Sequence, residues 1–312
     1  IAGDRAFMNK IWNAARFVFM NTEGIAPPET LAARHPVNRW ILAELARAAE
    51  ELDRTLDAYR FHEAAGGLYR FVWRVFCDWY LEAAKVLLRS EDAELVRETK
   101  QTLVFALDAW LRLLHPFCPF ITEAIFAELH GKDAMLAGAA WPTERLVSYA
   151  DEALRAEMAK VFEIVEEIRS LRGETRIPPG VRIAAVAAGS PALHERIRAH
   201  EAIINTLARV EGWRFAPEAH EEAQAAVVTV HDGRIYVPLR GVVDLDAEIA
   251  RANKRKAKLM QALARCEKKL ANPAFRANAP QHVIADTEEE AESLRREIAA
   301  LEQTIARLSQ AR

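Results

Sequence analysis

The chain has 312 residues, enough for two or three domains, and its 51% hydrophobic content supports a sizeable core and excludes disorder throughout. A formal charge of −3 excludes a uniformly basic nucleic-acid coat but leaves room for local basic patches. Three widely separated cysteines, Cys77, Cys118 and Cys266, form no CxxC pair, so free thiols in a reducing cytosol are expected rather than disulfides or a cysteine zinc site.

Gly and Pro are scarce while Ala, Leu, Glu and Arg abound, which favours helix. No run of about 18 apolar residues predicts a membrane span. The opening IAGDRAFMNK lacks the layout of a signal peptide. It also lacks an initiator Met, as expected of a piece of a longer chain.

Around NKIWNAARF (residues 9–17), a spacing of 100° per residue gathers Phe7, Met8, Ile11, Trp12, Ala15, Val18 and Phe19 into an apolar face. The other arc carries Arg5, Asn9, Lys10, Asn13 and Arg16, with Phe17 set among them. After a Pro/Gly loop, EGIAPPET (23–30), a second helix begins near Pro36 and repeats Trp40, Ile41, Leu45, Ala48, Leu52 and Leu56 at helical spacing. A third covers about 60–89, with Phe61, Leu68, Phe71, Val72, Val75, Phe76, Trp79 and Tyr80 inward, and a fourth about 93–115. Pro116 and Pro119 interrupt the chain before a fifth. Five helices with short connections predict an antiparallel bundle over residues 1–143.

Residues 144–241 change character. A helix over about 148–171 leads through the turn signal GETRIPPG to a strand at 181–188, a helix near 191–208, and strands at 212–215, 225–231 and 234–239. Asp232-Gly233 is a hairpin cue between the last two. The pattern predicts a small α/β domain of three or four strands.

Residues 242–312 carry the clearest period. With Ile249 as heptad position a, one seam runs Ile249, Ala252, Lys256, Leu259, Leu263, Cys266, Leu270. Beyond the hinge ANPAFRANAPQHV, a second runs Ile284, Thr287, Ala291, Leu294, Ile298, Leu301, Ile305, Leu308. Spacing that alternates 3 and 4 predicts an antiparallel coiled-coil hairpin with arms of about 30–40 Å. The fold class expected is therefore mostly α: a bundle, a small α/β domain and a terminal coiled-coil arm.

The hairpin is electrically lopsided. Residues 247–276 hold nine cations, Arg276 the last, against Glu248 and Glu267, whereas 286–302 hold seven acids against Arg295 and Arg296. Flanking cations such as Arg255 and Lys269 are candidates for pairing with the acidic arm. Arg251, Lys254, Lys258, Arg265 and Lys268 fall at positions c and f, directed away from the partner arm. An outward cationic stripe matches a phosphate backbone, with a solvated charged face as the alternative.

The opening arc also admits two uses. Asn9 and Asn13 could satisfy neighbouring loops while Phe17 fills a gap between helices. Alternatively the arc reads RNA: amides address base edges, Lys10 and Arg16 hold phosphates, and the Phe17 ring stacks on an unpaired base. Such a surface suits single-stranded RNA loops better than duplex DNA. No metal site is expected, since His62, His115 and His130 lie near helix ends without ligand spacing. FCDWYLE (76–82) has core spacing, with Asp78 bonded to a cation such as Arg74. No GxGxxG, Walker A or GxSxG motif occurs, and no catalytic centre is expected.

NKIWNAARF, FHEAAGGLYRFVWRVFCDWYLEAAK and LLHPFCPFITEAIF together resemble the helical anticodon-binding domain of class I aminoacyl-tRNA synthetases for Val, Ile and Leu. RIPPG, RIYVPLRGVVDLDAEIAR and the hinge NPAFRANAP are similar to the C-terminal region of the bacterial valyl-tRNA synthetase family. The cysteine zinc site that usually ends the isoleucyl enzymes is missing here. The resemblance implies a tRNA-binding piece of a cytoplasmic valine–tRNA ligase, inactive alone because the HIGH and KMSKS motifs and an editing domain are absent. It further implies that ATP, valine and Mg²⁺ belong to the parent enzyme, with no cofactor here. The partner implied is tRNA(Val), touched at the anticodon by Asn9, Lys10, Asn13, Arg16 and Phe17 and at its outer corner by the arm. Neither a membrane nor DNA is an expected partner, and the chain is expected to be a monomer. The alternative is a helical scaffold whose hairpin docks another helix.

Overall fold

The computed structural model describes residues 2–218, 220, 222, 225–239, 245–272, 275 and 280–310. Residues 273, 274 and 276–279 of the expected hinge, Arg276 included, lie outside the described residues, as do the side chains of Glu248 and Leu308. The chain divides into two units, Ile1–Lys160 and Val161–Arg312.

The first unit is built from α1 (Ala2–Asn21), α2 (Pro36–Asp57), α3 (Phe61–Arg70), a π-helical stretch (Phe71–Tyr80), α4 (Leu81–Leu87), α5 (Ala93–Leu114), α6 (Pro119–His130) and the short α7 (Thr143–Leu146). Helix α5 is almost wholly apolar in its second half, Asp108 and Arg112 apart, and Leu103, Val104, Phe105, Leu107, Trp110 and Leu111 have no exposed surface. A helix of that kind belongs at the centre of a bundle. Asp92 caps it by accepting hydrogen bonds from the Glu94 and Leu95 amides at 2.9 and 3.2 Å. Helix α2 begins at Pro36, where a missing N–H costs nothing, and His35 caps it through Val37 N.

Two sequence expectations need correction. Trp12, placed on the core face of α1, is 44% exposed, while Ala14 is buried at 3%. The buried stripe is Phe7, Ile11, Ala14, Ala15 and Val18, so the buried face is turned toward Ala14 and away from Trp12. Phe61, expected inward, is 57% exposed at the first residue of α3. The segment from Phe61 to Leu87 is continuous, as expected, yet its middle ten residues are π-helical. Within this stretch of i→i+5 bonding, Phe71, Val72, Phe76, Cys77 and Tyr80 are buried.

Asp108 on α5 is fully buried. Arg112 Nε donates to it at 3.0 Å, His130 Nε2 lies at 2.7 Å, and Arg145 completes the cluster. Burial alone would raise the Asp108 carboxyl, but hydrogen bonds and charge from Arg112 and Arg145 outweigh it and hold the pKa below the ordinary value. The cluster ties α5, α6 and α7 together.

The second unit takes up α8 (Glu152–Glu174) from Val161 and continues with β1 (Ile183–Gly189), α9 (Pro191–Ala199), α10 (Glu201–Ala208), β2 (Val210–Ala216), β3 (Ala225–Val230) and β4 (Gly233–Pro238). The helix expected over 191–208 is split at the buried His200. The sheet order is β2-β1-β4-β3, with β1 parallel to β2 and the β1–β4 and β3–β4 pairs antiparallel. The hairpin turn uses His231 and Asp232, so Gly233 opens β4 opposite Gly189 rather than sitting in the turn. A Cβ on Gly233 would lie 2.5 Å from the Ala188 carbonyl, which is why glycine is needed there. Arg196 on α9 bonds Asp232 at 2.5 Å and pins the helix to that turn.

The unit ends in α11 (Leu245–Leu270) and α12 (Gln281–Gln310), packed as the expected hairpin. Each seam position whose side chain is described is buried or half-buried, with Ala252, Cys266, Thr287 and Ala291 the most enclosed. At 1.5 Å per residue, the 26 residues of α11 reach about 39 Å. No helix among the described residues is long and apolar enough to cross a membrane.

Candidate nucleic-acid interface

The exposed side of α1 follows from its buried stripe. Asn9, Asn13 and Arg16 lie opposite Ile11, Ala14 and Val18 and are exposed. Trp12 and Met20, at 44% and 77% exposure, border the same arc. An indole that projects from a polar arc is a surface on which a base could stack. Helical periodicity missed it, because every aromatic at core phase is assigned inward.

Lys10 and Phe17 sit at the edge of the arc and are half-buried. The ammonium of Lys10 bonds Asp78 at 2.6 Å and lies 4.8 Å from the centre of the Trp73 ring. Asp78 thus takes Lys10, not Arg74, as its cation; the π-helical stretch delivers both Asp78 and Trp73 to α1. Behind Lys10, Phe7, Tyr69 and Trp73 form a ring cluster with centroids 4.7 to 6.2 Å apart. Such a lysine is held in one place, although its 32% exposed side chain remains accessible at the surface. The Lys85 ammonium stands 5.6 Å from the centre of the Phe17 ring, and Phe17 O accepts from Asn21 Nδ2 at 2.7 Å. The two residues meet one need each: a positioned charge and a partly covered ring beside exposed amides.

Phe76, Cys77, Tyr80 and Leu81 of FCDWYLE are core, as their spacing predicts, while Asp78 and Glu82 reach the surface. Cys77 is buried, and burial pushes its thiol up to about 12, so it supplies no thiolate at neutral pH. Among the described residues no group of three or more His, Cys, Asp and Glu could hold a metal ion.

On the arm, charges divide by heptad position. Arg255 reaches Glu297 at 3.5 Å, while Lys256, inside the seam, reaches Glu302 at 2.7 Å. Glu267 is taken by Arg295 at 2.7 Å. Lys269, a candidate for pairing, makes no ion pair within 4.0 Å among the described residues. Lys254, Lys258, Arg265 and Lys268 are exposed and likewise have no ion pair among the described residues; Arg251 is exposed as well. From Lys254 to Lys268 the stripe extends about 21 Å along the helix.

Comparison with known proteins defines the class first. Residues 38–187 match the anticodon-binding domain of tRNA ligases, and residues 244–309 match the valyl-tRNA synthetase tRNA-binding arm. The chain is 40% identical to the valine–tRNA ligase of Cereibacter sphaeroides over 99% of its own length and 31% of the relative's. Against those of Agrobacterium fabrum and Bradyrhizobium diazoefficiens it is 38% and 36% identical over its whole length, covering 33% and 36% of theirs. The chain belongs to the valyl-tRNA synthetase family and corresponds to a C-terminal portion, about a third of the length of these relatives.

Proposed function

We propose that the chain binds tRNA(Val) for a valine–tRNA ligase, with the exposed arc of α1 at the anticodon and the arm at the outer corner where the D and T loops meet. The observation that carries this is the division of charge on α11: Arg255 and the inward Lys256 pair with Glu297 and Glu302 of α12, whereas the outward Lys254, Lys258, Arg265 and Lys268 are exposed with no ion pair among the described residues. Phosphates are the partner such a stripe fits, since each contact releases counterions. Asn9, Lys10, Asn13, Arg16 and Phe17 supply amides, a positioned cation and a ring, the set suited to unpaired bases.

Two contacts on one tRNA raise affinity through effective concentration and orient the acceptor end for aminoacylation. Residues 1–143, 144–241 and 242–312 act here as anticodon reader, α/β connector and arm. ATP and Mg²⁺ serve the catalytic part of the parent enzyme, no residue here being assigned to them. The protein works in the cytoplasm as a monomer and does not bind DNA.

The test is the affinity of the 312-residue chain for a valine-accepting tRNA transcript as a function of salt. A fall of at least a hundredfold between 50 and 200 mM, with weaker binding to a transcript altered in its anticodon, is expected. A flat salt response, or no binding at micromolar concentration in low salt, would instead favour a protein-docking scaffold.

A further inference from the structure

Four arginines from three stretches of chain meet at one end of the small sheet. Arg169 and Arg172 lie on α8, Arg182 before β1, and Arg209 between α10 and β2. Hydrogen bonds fix their proximity. Arg169 donates to Leu207 O at 2.9 Å, Arg182 to Asn205 O at 3.4 Å, and Arg172 to Pro178 O and Val181 O at 3.0 and 2.8 Å. Arg209 O accepts from Ile183 N at 3.1 Å.

Three features set this group apart from ordinary surface charge. Arg209 holds φ of 56°, the left-handed region where glycine is at ease and an L residue is strained. Arg172 is 8% exposed and its Nη1 has no hydrogen-bond partner. Burial and the like charge of Arg209 both lower its pKa, so positive charges crowd one another here. Arg182 and Arg209 are exposed and make no ion pair within 4.0 Å among the described residues.

We propose that Arg182 and Arg209, braced by the buried Arg172, form a further docking point on the α/β unit for the phosphate backbone of tRNA. The inference rests on the tRNA-binding reading above and adds a contact on the unit between the anticodon reader and the arm. Guanidinium groups suit the task because their planar donor forks meet phosphate oxygens two at a time. Some of these arginines also bond the last carbonyls of α10, where a cation is favoured by the helix dipole. Capping alone, however, is served better by glycine at position 209 than by a strained arginine.

That difference supplies the experiment. Arg209→Gly removes the charge and relieves the backbone, and Arg209→Asn, also tolerant of the left-handed region, is the second variant. Each is compared with wild type, and with Arg182→Gln added, by fluorescence anisotropy of a labelled valine-accepting tRNA transcript from 50 to 300 mM salt, alongside thermal unfolding. The salt slope should fall by about one for each lost contact, and affinity at 0.1 M salt by about eightfold per contact. The unfolding midpoint should stay level or rise. Folded variants with wild-type slope and affinity would reduce these arginines to helix caps and overturn the proposal. If the arm variant Lys258→Gln/Arg265→Gln loses slope while the Arg209 variants do not, this inference alone fails. If wild type shows no salt-dependent binding, the tRNA reading fails with it.

Discussion

Neutralising two outward charges of the arm, Lys258→Gln with Arg265→Gln, isolates the term on which tRNA binding should depend. Both side chains are exposed at position c, so neither contributes to the seam, and Gln matches Lys and Arg closely in helix propensity. Folding stability should therefore change by no more than about 0.5 kcal/mol. Each phosphate contact contributes a salt slope of about −0.9, so its effect, taken relative to 1 M salt, is about fifteenfold at 50 mM and about fourfold at 200 mM. Two lost contacts should weaken binding about 200-fold at 50 mM and about 20-fold at 200 mM, and lower the slope by about two. Anisotropy titrations of labelled tRNA at four salt concentrations measure both. Lys256→Gln is the control, because that lysine faces inward onto Glu302 at 2.7 Å; it should loosen the arm while leaving the slope unchanged. A double variant with the wild-type slope, or a Lys256 variant that loses as much, would refute the assignment of outward and inward charges.

Three further outcomes follow from the first unit. Phe17→Ala should weaken tRNA binding by about 1–3 kcal/mol if the ring stacks on a base; binding within error of wild type would remove Phe17 from the interface. Ile11→Ala should cost about 2–5 kcal/mol in denaturant unfolding and Trp12→Ala less than that, since the first is wholly buried and the second is not. Equal losses would restore Trp12 to the core. Asp108→Asn should destabilise the unit by about 3 kcal/mol, because Arg112 and Arg145 lose their buried counter-charge. The folded Asp108 carboxyl titrates below its unfolded value, so its contribution is complete above the unfolded pKa of about 3.9 and is lost as pH falls through the folded one. The variant should therefore lose stability less steeply than wild type in acid, and parallel pH profiles of unfolding would contradict this.

Much of the architecture was legible because it is written in short-range periods. The heptads of α11 and α12 identify their seam residue by residue, since a period of 3.5 leaves only one helix face for contact. The outward placement of Lys254, Lys258, Arg265 and Lys268 follows from the same register. Alternating and continuous apolar runs located four strands and the β3–β4 hairpin within a few residues.

What the sequence could not determine is which of several apolar residues on one face wins the contact, and which distant charge meets which. Trp12 and Ala14 compete for the inside of α1, and it is Ala14 that the fold buries. Lys10 and Asp78 are 68 positions apart, and only the packing of α1 against a π-helical turn brings them to 2.6 Å. The arginines around Arg209 belong to separate elements that share no local pattern, so their gathering exists only once the sheet has formed. Periodicity specifies faces because it is a property of one helix or strand; partners across the fold depend on shape and volume at contacts between elements, which no local pattern contains.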